Sequence, residues 1–96
     1  MRHLYVVTYD ISSPKRWRRV FRTMRGFGDH LQLSVFLCDL PLMERVQMQA
    51  LLHEIIHHEE DKVMIVDLGP TEGRTIQSIE TIGIPVEITK RGPQVV

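Results

Sequence analysis

An aspartate at the end of an apolar segment is the residue of this chain best placed for chemistry. Asp10 follows residues 3–9, which read His-Leu-Tyr-Val-Val-Thr-Tyr, and precedes Ser12-Ser13-Pro14 and an arginine-rich run. Carboxylate oxygens bind hard cations, and an acid between a strand and a cationic helix is typical of a metal or phosphate site. Aspartate also ends strands and opens turns for purely structural reasons. Two interpretations of Asp10, a site and a turn, therefore stay open.

The run after Asp10 concentrates positive charge on one side of a predicted helix. Apolar residues recur at helical spacing from Trp17 to Phe27. The opposite side carries six cations, which are Lys15, Arg16, Arg18, Arg19, Arg22 and Arg25. Arginine forms forked hydrogen bonds with phosphate, and an anion bound there would relieve the repulsion between close cations. From these cations we predict that this side of the helix contacts the phosphate backbone of RNA or DNA. The alternative is a solvated cationic face balanced by the acidic second half of the chain.

Two histidines on a second predicted helix match a zinc-binding pattern. Residues 53–57 read His-Glu-Ile-Ile-His, the H-E-x-x-H motif of zinc proteases. On a helical wheel both imidazoles lie opposite the apolar side of the helix. His58 and Asp61 are the nearby candidates for a third ligand, and neither is convincingly placed. The pattern favours solvated histidines or adventitious metal binding over a zinc protease.

The charge of the chain is divided between its two halves, although the net charge is zero. Residues 1–38 contain seven Lys or Arg and two Asp or Glu, whereas residues 39–96 contain five Lys or Arg and ten Asp or Glu. This division indicates one cationic face suited to a polyanion. The single cysteine, Cys38, excludes an internal disulfide framework. No apolar segment is long enough to cross a bilayer or resembles a signal peptide, so we expect a cytoplasmic protein without a membrane partner.

The elements that must position these residues alternate between strands and helices. Strands are expected over residues 3–9, within residues 30–40 as one kinked strand or two short ones, and over residues 62–68. The first helix is expected to open at Ser12 or Ser13 with Pro14 in its first turn and to end near Gly26 or Gly28, and the second to span residues 41–58. This order predicts an α+β fold, a ferredoxin-like βαββαβ sandwich with an extra C-terminal strand.

The predicted sandwich packs its helices on one face of the sheet and leaves the other face apolar and open. A chain of 96 residues would cover that face most simply by forming a homodimer. We expect one domain over residues 1–96, with extended segments over 74–82 and 84–89 and a loose tail over 91–96.

Three stretches together resemble one protein family. They are Tyr9-Asp10-Ile11-Ser12 after an apolar strand, Arg18-Arg19-Val20 in a basic helix, and the segment Gly28-Asp29-His30-Leu31-Gln32-Leu33-Ser34-Val35-Phe36. The combination is similar to the signature of the second family of CRISPR-associated (Cas) proteins, the small partner of the spacer integrase. That signature is a strand ending in Y-D-I, an arginine-rich helix and G-x-R-x-Q-x-S-V-F. The resemblance extends over most of the chain.

The resemblance implies a ferredoxin-like homodimer in which the strand around residues 84–89 joins the partner's sheet. It implies that two Asp10 side chains face each other across the dimer axis and hold Mg²⁺ and a water for phosphodiester hydrolysis. His30 stands where the family has arginine, which weakens one expected phosphate contact because histidine is mostly neutral at pH 7. Ser34 is a further candidate for contact with a phosphate or a metal-bound water.

Two functions of different classes follow from these expectations. The first is a metal-dependent endonuclease of CRISPR spacer acquisition that acts on RNA or DNA, with Asp10 as metal ligand. The second is a non-catalytic dimer that holds duplex DNA and bridges the CRISPR integrase subunits, in which the arginine helix matters and Asp10 is mainly structural. A ferredoxin-like toxin nuclease or a small-molecule regulatory module is a more distant alternative.

Overall fold

The computed structural model describes residues 1–72 and 79–86, and it arranges them as two helices on one four-stranded sheet. The elements in chain order are β1 (Arg2–Asp10), α1 (Pro14–Arg25), β2 (Asp29–Gln32), β3 (Val35–Pro41), α2 (Leu42–Ile55) and β4 (Lys62–Pro70). The strands lie in the order β2-β3-β1-β4, and each neighbouring pair is antiparallel. This βαββαβ arrangement confirms the predicted α+β, ferredoxin-like fold.

Local sequence explains where α1 begins and ends. The hydroxyl of Ser13 accepts a hydrogen bond from the backbone N–H of Arg16 at 3.2 Å, and Pro14 occupies the first turn. After Arg25 the chain leaves the helix, and the N–H of Gly28 donates to the carbonyl of Met24 at 3.0 Å. Gly28 then passes so close to β3 that an added Cβ would lie 2.5 Å from Cys38 Sγ. Only glycine allows this approach, which carries the chain from α1 into the sheet.

The main core lies between the helices and one face of the sheet. Its buried members include Tyr5, Val7 and Tyr9 from β1, which alternate as expected for a strand with one face on a core. The remaining buried members are Val20, Met24, Phe36, Cys38, Leu40, Met48, Leu52 and Ile55. Tyr9 therefore belongs to the core, and its neighbour Asp10 is exposed.

The second face of the sheet is only partly open. Leu4 and Leu37 point to this face and are buried. Among the described strand residues, the exposed apolar surface of this face comes from Met64 and Val66 on β4, next to the half-buried Val6 and Val35. The expectation of an apolar, open face holds for the part of the sheet nearest Asp10 and not for the whole sheet.

Several element boundaries differ from the prediction. The region 30–40 forms two strands, which is one of the two predicted alternatives, with Leu33 and Ser34 in the turn between them. The second helix ends at Ile55, and the next residue, Ile56, has an extended backbone (φ −76°, ψ 158°), so the predicted end at residue 58 is wrong. Residues 79–82 and 84–86 are not in strands. Residues 74–78, 87–89 and 91–96 lie outside the described residues, so a strand crossing to a partner stays a prediction. Within the described part of the chain, neither helix has the length and apolarity to cross a membrane.

Candidate active site and nucleic-acid interface

Asp10 lies at the edge of a concavity on the second face of the sheet. It is the last residue of β1, and its register partner on β4 is Lys62. The concavity has a volume of about 280 Å³ and is lined by Thr8, Tyr9, Asp10, Ser34, Val35, Lys62 and Met64. Among the described residues, none makes a hydrogen bond or ion pair with the Asp10 carboxylate. Within the described residues, the end of β1 therefore presents an exposed carboxylate without a partner, and such a group can bind a hard cation.

Ser34 anchors the turn between β2 and β3 against the end of β1. Its carbonyl accepts a hydrogen bond from the backbone N–H of Tyr9 at 3.2 Å, and its hydroxyl oxygen accepts one from Trp17 Nε1 at 2.9 Å. The hydroxyl proton stays free to donate to a phosphate or a water. Ser34 thus lines the same concavity as Asp10, as the prediction of a shared site requires, and it also has a structural task that the sequence did not reveal.

Arg16 is held by an acidic pair at the start of β4. The side chain of Asp61 is fully buried and accepts hydrogen bonds from Arg16 Nε at 2.8 Å and from the backbone N–H groups of His57 at 2.8 Å and Ser12 at 3.0 Å. Arg16 Nη2 also donates to Glu60 Oε1 at 3.1 Å. The hydrogen bonds from Arg16, together with those from the two backbone groups, hold the pKa of Asp61 well below its ordinary range despite burial. Arg16 is consequently engaged within the fold, although the sequence grouped it with the phosphate-binding cations.

The other cations of α1 face solvent. Lys15, Arg18, Arg19 and Arg22 are exposed, and no ion pair joins any of them to another described residue. Arg25 is also exposed, and its guanidinium lies 5.8 Å from the ring centroid of Phe21. The helix therefore presents a cationic face, hereafter the α1 cationic face, made of Lys15, Arg18, Arg19 and Arg22.

His30 lies apart from the Asp10 concavity. Its ring packs edge-on against Phe21, with centroids 4.9 Å apart, and lies 5.0 Å from the Phe36 ring. Its Nε2 is 3.2 Å from the carbonyl oxygen of Leu33. It lines a different concavity together with Arg25 and Asp29. The structure thus brings Asp10 and Ser34 together and places His30 elsewhere, among aromatic rings.

The histidine pattern does not form a helical zinc motif. His53 lies on α2, but His57 follows the end of that helix, and its Nδ1 accepts a hydrogen bond from the N–H of Glu59 at 3.2 Å. His53 instead stacks on His58, with ring centroids 5.4 Å apart. Over residues 1–72 and 79–86, no group of three or more His, Cys, Asp or Glu side chains is placed to hold a metal ion.

Lys62 is a site residue that the sequence analysis did not single out. It opens β4, lines the concavity and is the register partner of Asp10. Its position beside Asp10 could have been predicted from the fold, because in the ferredoxin-like order β4 runs antiparallel to β1, so the first residue of β4 meets the last residue of β1. That prediction would have required strand boundaries accurate to one residue.

The fold and the strand-end geometry define a small ferredoxin-like protein with an acidic strand end next to a cationic helix. Residues 1–76 match the protein family described as CRISPR associated protein Cas2. The chain belongs to the Cas2 family of CRISPR-associated proteins, which confirms the resemblance noted in its sequence.

Relatives of known name support this assignment. The chain is 56% identical over 72 residues to a CRISPR-associated endoribonuclease Cas2 of Geobacter sulfurreducens, covering 75% of this chain and 76% of that protein. It is 44% identical over 94 residues to a CRISPR-associated endoribonuclease Cas2 of Rhodospirillum rubrum, covering 98% and 91%. The crystal structure of Streptococcus pyogenes Cas2 superposes with a TM-score of 0.73 at 30% identity, covering 83% of this chain and 99% of that one.

Proposed function

We propose that this protein is a metal-dependent endonuclease of CRISPR spacer acquisition that cleaves phosphodiesters with the help of Asp10. The observation that carries the proposal is the exposed Asp10 carboxylate, unpaired among the described residues, in a concavity that also contains Ser34 and Lys62. Two relatives, at 56% and 44% identity, are named endoribonucleases. RNA is accordingly the first substrate to test, with duplex DNA as the comparison.

The donor set around Asp10 fits Mg²⁺ if a second copy contributes to the site. A single carboxylate is a sparse ligand set, yet Mg²⁺ keeps several waters and commonly takes one or two protein carboxylates. Met64 and Val66 expose apolar surface on the same face of the sheet as Asp10. A homodimer formed through this face would cover them and bring two Asp10 side chains together.

In the proposed reaction, different residues of the chain would hold the metal ion and the phosphates. Bound Mg²⁺ would polarise the phosphodiester and assist deprotonation of a water. Asp10 would orient the ion. Lys62 and Ser34 line the same concavity, and the ammonium of the first and the hydroxyl of the second would contact phosphate oxygens. The α1 cationic face would hold flanking phosphates, because guanidinium groups bind phosphate in a forked geometry.

Replacing Asp10 by asparagine tests the proposal. Cleavage of RNA and duplex DNA would be followed with Mg²⁺ and with EDTA, for the wild type, for Asp10→Asn and for Glu54→Gln, an exposed acid on α2. We expect Mg²⁺-dependent cleavage that Asp10→Asn lowers by about 100-fold or more, while nucleic-acid affinity and the rate of Glu54→Gln stay unchanged. Equal cleavage rates for Asp10→Asn and the wild type would contradict a role for Asp10 in the reaction.

The second candidate function is a dimeric scaffold that holds DNA and bridges the CRISPR integrase without cleaving. The α1 cationic face favours it, because these side chains have no ion-pair partners among the described residues and suit a polyanion regardless of Asp10. Spacer acquisition in cells that contain the integrase separates the two candidates. Acquisition that survives Asp10→Asn and is lost when Arg18 and Arg19 both become Glu, with unfolding midpoints unchanged, supports the scaffold.

A further inference from the structure

The backbone neighbours of Asp10 set its position at the end of β1. Its side chain is exposed and makes no ion pair with any described residue. On the β3 side, the strand pairing of β1 ends where Thr8 meets Val35. Beyond that pair, the backbone N–H of Tyr9 donates to the carbonyl of Ser34 at 3.2 Å. This hydrogen bond therefore attaches the residue before Asp10 to the β2–β3 turn.

Trp17 fixes that turn to α1. Its Nε1–H donates to Ser34 Oγ at 2.9 Å, so the turn is joined to a helix as well as to β1. The half-buried indole packs against the main core and stacks on Phe21, with ring centroids 5.2 Å apart and ring planes 12° apart. It also lies 6.3 Å from the ring of Tyr9. The donor that holds Ser34 is thus itself held by aromatic packing.

Trp17 and Asp10 lie on opposite faces of the sheet, and the link between them passes through the backbone. Trp17 packs on the face covered by the helices, whereas Asp10 lines the concavity with Met64 on the other face. The indole holds the side chain of Ser34, and the carbonyl of Ser34 holds the N–H of Tyr9. Consecutive Cα atoms are about 3.8 Å apart, so a shift of the Tyr9 backbone also moves the Cα of Asp10.

We propose that Trp17 is a positioning residue that keeps Asp10 in place for metal-dependent cleavage, and that it acts through Ser34. A reacting group must be held within a fraction of an ångström, because a misplacement of about 1 Å can cost up to 100-fold in rate. The indole N–H supplies this restraint, which a phenyl ring of similar shape lacks. The inference rests on the proposed function, in which Asp10 holds the metal ion.

Trp17→Phe tests the inference, because it removes the hydrogen-bond donor and keeps an aromatic ring in the core. We expect the kcat of Mg²⁺-dependent RNA cleavage to fall about tenfold while KM for the RNA stays unchanged. Phe27→Leu is the matched control, since Phe27 is half-buried against the same core just after α1. It should leave kcat and KM equal to those of the wild type. A purely structural role of Trp17 would lower the unfolding midpoint and leave kcat unchanged.

A double substitution tests the route through Ser34. Ser34→Ala removes the acceptor of the indole hydrogen bond together with the proposed phosphate contact of the hydroxyl. Adding Trp17→Phe to Ser34→Ala should lower kcat no further, because the hydrogen bond is already absent. A second tenfold loss in the double variant would show that Trp17 acts by another route, and it would overturn the inference.

Amide hydrogen exchange of the metal-free protein tests the link without any measurement of cleavage. We expect the Tyr9 amide to exchange about fivefold faster in Trp17→Phe than in the wild type, relative to the amide of Val7, a buried residue of the same strand. Phe27→Leu should leave this ratio unchanged. An unchanged ratio in Trp17→Phe would refute the link. Faster exchange with an unchanged kcat would refute the role in the reaction and leave the proposed nuclease intact, whereas a wild type without Mg²⁺-dependent cleavage would refute the proposed function itself.

Discussion

Two adjacent residues at the end of β1 have opposite surroundings. Because side chains alternate along a strand, Tyr9 points into the core with 4% of its surface exposed, whereas Asp10 points to the concavity. Within the described part of the chain, the buried hydroxyl of Tyr9 has no hydrogen-bond partner, and burial raises the pKa of Tyr9 to about 12. The carboxylate of Asp10 is exposed to solvent, whereas the phenol of Tyr9 is buried.

Tyr9→Phe is expected to stabilise the protein. The substitution deletes a buried hydroxyl that makes no compensating hydrogen bond, and relieving its desolvation should raise the free energy of unfolding by about 1 kcal/mol. Urea denaturation at pH 7 measures the change. Tyr5→Phe is the control, because Tyr5 is equally core-facing and its hydroxyl is not among the buried unpaired groups. A destabilised Tyr9→Phe variant would mean that the hydroxyl has a partner, such as an internal water.

At the scale of elements, Asp61 joins three segments that surround the Asp10 site. It accepts hydrogen bonds from Ser12 in the β1–α1 loop, from Arg16 in α1 and from His57 after α2. The next residue, Lys62, begins β4 and pairs with Asp10. Asp61 therefore ties the loop after Asp10 to the strand beside it, and the position of the site depends on this cluster.

Asp61→Asn is expected to destabilise the protein at neutral pH. It should also make the free energy of unfolding depend less steeply on pH in acid. The neutral amide weakens the hydrogen bond to Arg16 and leaves buried polar groups poorly paired, a loss of about 2 kcal/mol. Since the folded-state pKa of Asp61 is lowered, the unfolded chain binds more protons below about pH 4. The contribution of ionised Asp61 to the free energy of unfolding is therefore complete above about pH 4, and it is lost as the pH falls through the folded-state pKa of Asp61.

Urea unfolding of the wild type, Asp61→Asn and Glu59→Gln between neutral and acid pH measures this effect. Glu59 is an exposed acid in the same loop, and its replacement should leave both the stability at pH 7 and the acid slope unchanged. An acid slope that is the same for Asp61→Asn and the wild type would contradict a lowered folded-state pKa.

At the scale of the whole molecule, the sheet has one face closed by helices and another that is open near the site. Val66 is 44% exposed and pairs with Val6 on that open face. The burial of such surface is worth about 25 cal/mol per Å², which favours its coverage by a second copy. Because each copy offers one Asp10, the proposed dimer and the proposed metal site would form together.

Val66→Glu is expected to produce a folded monomer that has lost metal-dependent cleavage. Glutamate tolerates the exposed position in a single chain, whereas a dimer would have to bury its charge. Light scattering during gel filtration gives the mass, and the cleavage assay gives the activity. Leu51→Glu is the control, because Leu51 is 43% exposed and lies on α2. A Val66→Glu variant that is still dimeric, or a wild type that is monomeric at micromolar concentration, would contradict this interface.

Much of the fold followed from local patterns. The βαββαβ order, a serine cap at Ser12 or Ser13 and the packing of both helices on one face of the sheet were all foreseeable, because helix periodicity, capping chemistry and apolar strands act over a few residues. Boundaries were less accurate: α2 ends at Ile55, because Asp61 binds the N–H of His57 and the chain turns there. That interaction depends on the path of the loop, which helical periodicity does not describe.

The sequence by itself determined the order of elements and the position of Asp10 at the end of β1, because each depends on residues close together in the chain. It also determined membership of the family, whose model matches residues 1–76. Only the tertiary structure decided which side chains meet there. It engages Arg16 with Asp61, 45 residues away, aligns Lys62 with Asp10, and fastens Ser34 to Trp17. These contacts depend on strand register and loop path, where a shift of one residue turns every side chain to the other face.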